Sequence, residues 1–396
     1  MTDLFGLLLR HGYGGVELDR RARAGGDTYA TRMLGRKAVV VRGTAGAELF
    51  YDETAVRRTG AIPFPLRGLL FGRGAIHGLD DEAHDVRKQL FFEILAPERV
   101  HALMASTTAR LEERVAGWTD RSVRVYDELV EVYGQSVIEW AGLDESPDSA
   151  RRWSHELARI VDGFGGDPKA YPRGWVARVR GDRWARRHVQ AVRHGRHLPP
   201  ADSALALLAA SELDDTTAAV ELLNVLRPTV AVAWLGAWAA LYLDEAPRWR
   251  AELRSPTTGT HHVAFGEEVR RCTPFVPVLA GKIRRPVRHE GIALHEGERI
   301  VLDVWGTDQA SGQWQEPGTF SPERFLREEP GPFDFLPQGG GLPTGHRCPG
   351  EPFTVLLLAE TVRVLAGVDH RVASSHQVDL ARMPTLPEDG LLLAPR

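Results

Sequence analysis

The sequence predicts a mainly α-helical fold with small β-sheets. Apolar residues recur at i, i+3 and i+4 through most of residues 97–246, which is the period of an amphipathic helix. Short stretches rich in β-branched residues and bounded by glycine, such as Ala38–Gly43, lie outside that region. No linker composition interrupts the chain, so we predict one domain spanning residues 1–396.

Composition and charge exclude several classes of protein. A net charge of -4 without a dominant basic block gives no electrostatic case for nucleic acid. The arginine-rich stretch 174–197 has helical spacing and is predicted to be a solvated helix face. The longest uncharged run, 229–243, is too short for a membrane span and predicts a buried helix. With only two cysteines and no signal-peptide pattern, we expect a cytoplasmic protein without disulfides.

The elements follow in order from local patterns. We expect Asp80 or Asp81 to cap a helix that begins at residue 81. The helical region should break at 144–148, 163–173 and 198–202, where turn-forming residues collect. Further predictions are a helix at 4–10, a strand at 38–43, a helix at 45–52, a short helix ending before Pro274, a hairpin of two strands joined by Glu296–Gly297, a turn at 319–325, a helix after residue 351 and a terminal hairpin.

A glycine-rich loop around Cys348 organises the chemistry. The segment FDFLPQGGGLPTGHRCPGE, residues 333–351, ends where a helical pattern begins, and Pro349 suits a first helical turn. Backbone N–H groups at a helix start stabilise a thiolate, and glycines let the backbone approach a large flat group. A thiolate with adjacent cations is typical of a haem-thiolate loop, in which the cysteine binds iron. The alternative is a buried structural cysteine in a turn.

Two further motifs precede that loop. Glu268 and Arg271 form an E-x-x-R on a helix, where a spacing of three allows them to pair. The sequence PERF, with Arg324, then follows before the cysteine. The order of these motifs resembles the cytochrome P450 superfamily. The resemblance implies that fold, with haem b between a long central helix and the loop. It also implies that Cys348 is the axial ligand of the haem iron, and that Glu268, Arg271 and Arg324 brace the haem side that carries the thiolate.

The central helix departs from the usual pattern of that superfamily. It carries Arg227 followed by Pro228, and no acid stands beside Thr229, which we interpret as structural. One interpretation is an arginine at a helix end with proline starting a new helix. The other is a kinked helix in which Pro228 leaves the carbonyl of Asn224 without its donor and Arg227 presents a guanidinium to a cavity.

The Arg-Pro pair, LFGRGAIHGLDDEAH and QGGGLPTGHRCPGE together resemble the bacterial fatty-acid peroxygenases. In that branch hydrogen peroxide replaces oxygen and a reductase, and the substrate carboxylate held by the arginine supplies the acid–base group. The resemblance therefore implies hydroxylation at the alpha or beta position, or decarboxylation, of a carboxylic acid, without a redox partner. Its site residues would be catalytic Arg227, Pro228 and His77, substrate-binding Arg227, Phe71 and Ala231, and cofactor-binding Cys348, His346, Arg58 and Lys88.

Two alternatives remain open from sequence. One is an oxygen- and reductase-dependent monooxygenase that acts on a substrate other than a fatty acid. The other, from a different class, is a haem-binding protein without catalysis. For His77, a loop histidine packed against a neighbour is the competing structural interpretation, and Arg58, Lys88 and His346 could be ordinary surface charge.

Overall fold

The computed structural model describes residues 3–165, 169–255, 259–375 and 377–395. The helices in these ranges are α1 Leu4–His11, α2 Gly14–Ala22, α3 Gly43–Tyr51, α4 Phe64–Leu70, α5 Asp81–Ile94, α6 Pro97–Ala116, α7 Val125–Trp140, α8 Pro147–Asp162, α9 Ala170–Arg193, α10 Ala204–Ala210, α11 Asp215–Glu245, α12 Pro247–Leu253, α13 Gly259–Cys272, α14 Val304–Asp308, α15 Glu323–Arg327 and α16 Glu351–Gly367. The strands are β1 Thr28–Met33, β2 Arg36–Val41, β3 Val56–Arg57, β4 Val123–Arg124, β5 Val278–Ile283, β6 Val287–His289, β7 Ile292–Leu294, β8 Arg299–Asp303, β9 His370–Val372 and β10 Leu392–Pro395.

The predicted fold class is confirmed: helices dominate and the strands form small sheets. A five-stranded sheet has the order β1-β2-β8-β5-β3, in which β2 and β8 are parallel and the other neighbours are antiparallel. A three-stranded sheet joins β4, β10 and β9, and β6 pairs with β7. Single-domain organisation of residues 1–396 stays a prediction.

Helix α11 forms the centre of the main core. It runs from Asp215 to Glu245 and packs against α7, α8, α9 and α16. By length and composition it could cross a membrane, but 89% of its most apolar window is buried inside the protein. A helix that is apolar on all sides belongs in a protein core or a membrane, and here neighbouring helices cover it. Its burial fixes the side chains of its middle turns, which decide the geometry of the site.

Several local predictions differ from the structure. Strands β7 and β8 do not form a hairpin with each other, because β7 pairs with β6 whereas β8 lies between β2 and β5. The PERF segment forms the short helix α15 rather than a turn. Two further breaks, between α6 and α7 and between α10 and α11, interrupt the helical region. The strands β9 and β10 are antiparallel, but β4 also joins them.

Two helix starts also differ in detail. Asp80 is the cap residue of α5, yet its carboxylate accepts hydrogen bonds from the backbone N–H groups of Arg58 and Thr59, at 2.7 and 2.9 Å. Asp80 therefore ties the start of α5 to the segment after β3. At the start of α16 the cap residue is Gly350, so the proline in the first turn is Pro352 and not Pro349. Pro349 therefore lies in the loop before the helix.

Candidate active site

Cys348 is held by backbone and side-chain contacts within its loop. Its backbone N–H donates to the carbonyl oxygen of Gln338 at 3.0 Å, and the Gln338 amide nitrogen lies 3.8 Å from Sγ. Burial raises the pKa of the Cys348 thiol, and the hydrogen bond from the Gly350 backbone only partly offsets it. The Gly350 contact acts in the direction predicted for backbone N–H groups, but the thiolate needs further stabilisation against burial. A bound metal ion, which deprotonates a coordinating thiol, would supply that stabilisation.

The glycines before Cys348 are required by the packing of the loop. Gly339 has a φ of 96°, which other residues rarely adopt. A Cβ atom on Gly340 would lie 2.6 Å from Leu336 Cδ2 and 2.9 Å from the carbonyl oxygen of Pro332. A side chain at either position would therefore distort the loop that positions the sulfur, even before any flat group is considered.

The three side chains of the E-x-x-R and PERF motifs meet. Glu268, which is fully buried, forms two bonds of 2.8 Å with Arg271 through its two carboxylate oxygens. The Nε of Arg324 lies 3.1 Å from the same carboxylate, and the backbone N–H of Ser321 donates to it at 2.7 Å. The arrangement joins α13 to the segment before the cysteine loop. Its role in bracing a haem stays a prediction.

Arg270 makes a second link to the loop that the sequence analysis missed. Its guanidinium pairs with Glu351, at the start of α16, and its Nη2 donates to Gln338 Oε1 at 3.0 Å. Glu351 also pairs with Arg347, which directly precedes Cys348. The E-x-x-R pattern identifies only its neighbour Arg271, so the sequence carried no signal for Arg270. The cysteine loop is thus fixed by a hydrogen bond at Gln338 and by ion pairs at Glu351.

The middle of α11 carries Arg227. The helix continues through Pro228, so the interpretation in which proline starts a new helix is wrong. Arg227 is 5% exposed, its Nε has no hydrogen-bond partner, and no acidic side chain of the described residues forms an ion pair with it. Burial and the charge of Arg178 lower its pKa to about 9, against an opposing effect from Cys348. A buried cation without an anionic partner is costly.

Two residues that the sequence analysis missed support Arg227 from the preceding turns of α11. Asn224 Oδ1 accepts from Arg227 Nη2 at 3.5 Å, while its amide donates to Glu221 at 2.9 Å and to the carbonyl oxygen of Phe71 at 3.0 Å. Glu221 is fully buried and also accepts from the backbone N–H of Ile76 at 2.9 Å. Their spacing of three along one helix face was the signal that could have identified them.

Phe71 and His77 lie together beside Arg227. Their rings stack at 4.0 Å, and the Arg227 guanidinium lies 5.8 Å from the Phe71 ring. His77 has accessible surface, yet burial, followed by the charge of Arg227, lowers its pKa to about 3. A side chain that faces an internal cavity has accessible surface and is nevertheless surrounded by protein. Ala231, one turn beyond Arg227 on α11, is buried with 8% exposure.

The predicted cofactor-binding cations occupy different positions around the loop. The Nη1 of Arg58 is buried without a hydrogen-bond partner, and its guanidinium lies 3.9 Å above the Phe50 ring. Lys88 donates to the carbonyl oxygens of Gly345, at 2.7 Å, and Arg347, so it contacts the loop backbone itself. The His346 ring lies 4.1 Å from the His84 ring at an interplanar angle of 40°, and burial lowers the pKa of His346 to about 2.

These residues fit a haem group. A single sulfur ligand on a rigid loop suits an axial thiolate, and the unpartnered Nη1 of Arg58 suits a carboxylate substituent on the ring. The Lys88 ammonium already donates to a carbonyl oxygen of the loop, so Arg58 is better placed than Lys88 to bind such a substituent. The assignment of Arg58, Lys88 and His346 to the cofactor stays a prediction.

Comparison with known proteins identifies the family. The family model "Cytochrome P450" matches residues 264–359. Among curated proteins, cytochrome P450 76T24 of Catharanthus roseus is 36% identical over 94 residues, covering 22% of this chain and 18% of that protein. The putative cytochrome P450 137 of Mycobacterium tuberculosis (strain ATCC 25618 / H37Rv) is 29% identical over 132 residues, covering 33% of this chain and 27% of that protein. The matches thus span under a third of the length of these two relatives.

Solved structures match over the whole length. Cytochrome P450SP alpha in complex with (R)-ibuprophen has a TM-score of 0.94 and 33% identity, covering 100% of this chain and 98% of that chain. Wild-type cytochrome P450EX alpha with myristic acid has a TM-score of 0.92 and 30% identity, covering 99% and 96%. The chain therefore belongs to the cytochrome P450 family, whose members bind haem b, and within it to the bacterial fatty-acid peroxygenase branch.

Proposed function

We propose that the protein is a haem-thiolate oxidoreductase that uses hydrogen peroxide to hydroxylate or decarboxylate a carboxylic acid. The observation that carries the proposal is Arg227, a buried arginine for which the described residues provide no acidic partner. A substrate carboxylate would meet that need through two parallel hydrogen bonds. Similar structures contain carboxylic acids, namely (R)-ibuprophen in cytochrome P450SP alpha and myristic acid in cytochrome P450EX alpha.

When bound, haem supplies an iron that Cys348 ligates as thiolate and on which peroxide is activated. The residues of this chain position the acid. The Asn224 side chain donates to the Phe71 carbonyl oxygen and so ties α11 to the segment that carries Phe71. The same side chain accepts a hydrogen bond from Arg227, which helps to fix the position of the guanidinium. A carboxylate bound there is oriented before the reaction, which removes much of its entropic cost.

The bound carboxylate would also serve as the acid–base group. The acid nearest to Arg227 on α11 is Glu221, and its carboxylate is already occupied by Ile76, Arg87 and Asn224. A substrate carboxylate beside Arg227 can take a proton from hydrogen peroxide and return it to the oxygen that leaves as water. The balance is acid plus peroxide giving hydroxy acid and water, or terminal alkene, carbon dioxide and two waters.

We further propose that the reaction needs no redox partner. Peroxide brings both oxygen and oxidising equivalents, so the proposed reaction needs neither a reductase nor an acid–alcohol pair on α11. We further propose a cytoplasmic location, because the one helix apolar enough for a membrane among the described residues is buried in the core.

The test is product analysis of the holoenzyme with hydrogen peroxide and a series of monocarboxylic acids. We expect hydroxy acids or shortened alkenes, together with a thiolate-type spectrum of the reduced carbon monoxide complex. Turnover supported only by NAD(P)H and a reductase would establish an oxygen-dependent monooxygenase instead. A thiolate-type spectrum without any product would establish a haem-binding protein without catalysis.

A pH prediction follows from His77. Because its pKa is lowered to about 3, the imidazole should stay neutral from pH 5 to pH 8, since protonation begins only well below that range. Replacing His77 by Gln should therefore leave the shape of the pH profile of kcat/KM unchanged across that range, even if the absolute value of kcat/KM changes. The measurement is the pH dependence of peroxide-driven turnover in both proteins. A limb near pH 6.5 that disappears in His77→Gln would contradict the prediction.

A further inference from the structure

One arginine of the basic stretch on α9 is buried, contrary to the predicted solvated face. Arg178 is 1% exposed, whereas Arg173, Arg180, Arg183 and Arg186 on the same helix are exposed. Buried arginines are uncommon unless an anion or a set of acceptors satisfies them. The position of Arg178 therefore calls for a specific partner.

Arg178 lies against the segment that carries Phe71. A Cβ atom on Gly72 would lie 2.9 Å from Arg178 Cζ and 2.8 Å from Val220 Cγ1, so only glycine fits between α9 and α11 at that point. Gly72 directly follows Phe71, whose ring lies 5.8 Å from the Arg227 guanidinium. Val220 precedes Arg227 by two helical turns, which is about 10 Å along the axis. The charge of Arg178 contributes to the lowered pKa values of Arg227 and His77.

The guanidinium of Arg178 is poorly satisfied by the protein. Its Nε, Nη1 and Nη2 are buried without a hydrogen-bond partner among the described residues. Asp182 approaches, with Oδ1 2.6 Å from Nη2, but that oxygen also lacks a hydrogen bond, so the contact is an ion pair without aligned geometry. The Asp182 side chain is 38% exposed and therefore partly solvated. A buried donor without an acceptor is unfavourable, and a well-placed carboxylate would satisfy it.

We propose that Arg178 is a second carboxylate-binding residue, and that the preferred substrates are dicarboxylic acids whose two ends reach Arg227 and Arg178. This inference rests on the proposed function and names its substrate class. A monocarboxylic acid bound at Arg227 would leave the Arg178 donors unmet. The second carboxylate of a diacid would satisfy them, and without a cation at that end its burial would be strongly unfavourable.

The experiment compares mono- and dicarboxylic acids of equal carbon number, across a series of chain lengths, by calorimetric titration of the holoenzyme. At the best chain length we expect the diacid to bind at least about tenfold more tightly than its matched monoacid, which is about 1.4 kcal/mol. Arg178→Gln should weaken diacid binding about tenfold more than monoacid binding, which removes that preference. Arg180→Gln, an exposed arginine on the same helix with 62% side-chain exposure, is the matched control and should keep the preference.

The outcomes separate this inference from the proposed function. Monoacids that bind as tightly as diacids at every length in the wild-type protein would overturn the role of Arg178, even if peroxide converts them efficiently. If Arg178→Gln weakens the binding of monoacids and diacids equally, Arg178 only holds Gly72 against α9. That result would also overturn the proposed role of Arg178. Arg178→Lys, which keeps the charge, should retain part of the diacid preference and covers the case in which the glutamine variant does not fold.

Discussion

Replacing Arg227 by Gln is expected to reduce peroxide-driven turnover of carboxylic acids by about 10²- to 10⁴-fold, the usual contribution of a general acid–base group. Glutamine keeps hydrogen-bonding capacity but removes the cation that would hold the carboxylate. Glu221, the acid nearest to Arg227 on α11, is already hydrogen-bonded to Ile76 and Asn224. The measurement is the rate of product formation at saturating peroxide. The reduced carbon monoxide spectrum should stay thiolate-type, because Cys348 is untouched.

A matched control lies two residues further along α11. The Thr229 hydroxyl donates to the Val225 carbonyl of its own helix at 3.3 Å, so Thr229→Val should keep turnover within about twofold. Arg227→Lys should fall between wild type and Arg227→Gln, because an ammonium keeps the charge but not the two parallel bonds. Unchanged turnover in Arg227→Gln would show that the substrate carboxylate is not the acid–base group.

Replacing Glu268 by Gln should destabilise the protein by about 3–5 kcal/mol, because it leaves two guanidinium groups next to a neutral amide in the interior. Glu268 is fully buried and contacts Arg271, Arg324 and the backbone of Ser321. The measurement is the urea midpoint of the holoenzyme at a fixed m-value. Because these contacts anchor the segment before the cysteine loop, haem loss should accompany unfolding.

The control is an ion pair of the same types at the surface. Glu112 on α6 and Arg363 on α16 form a 2.7 Å pair with side chains 52% and 39% exposed. Glu112→Gln should cost no more than about 1 kcal/mol, since solvent screens exposed pairs. A Glu268→Gln loss as small as that of the surface control would show that the buried pair contributes no net stability.

Much of the site follows from residues that are near in sequence. The glycine-rich loop, the E-x-x-R pair and Arg-Pro on the central helix each carry their chemistry in a few neighbouring positions. The pairing of Glu268 with Arg271 needed only helical geometry, and the structure shows it at 2.8 Å. By contrast, the raised pKa of the Cys348 thiol could not be predicted from local residues, because burial outweighs the hydrogen bond from Gly350.

The amino-acid sequence by itself determined the fold class, the thiolate loop and the arginine of the central helix, because their signals are local spacing and composition. Only the tertiary structure decided that α11 runs unbroken through Pro228, that Asn224 links Arg227 to the Phe71 carbonyl, and that Arg178 is buried. The physical reason is that burial and hydrogen-bond partners depend on elements far apart in the chain. A helical arginine pattern shows which residues share a face, but not which face packs against Gly72 and Val220.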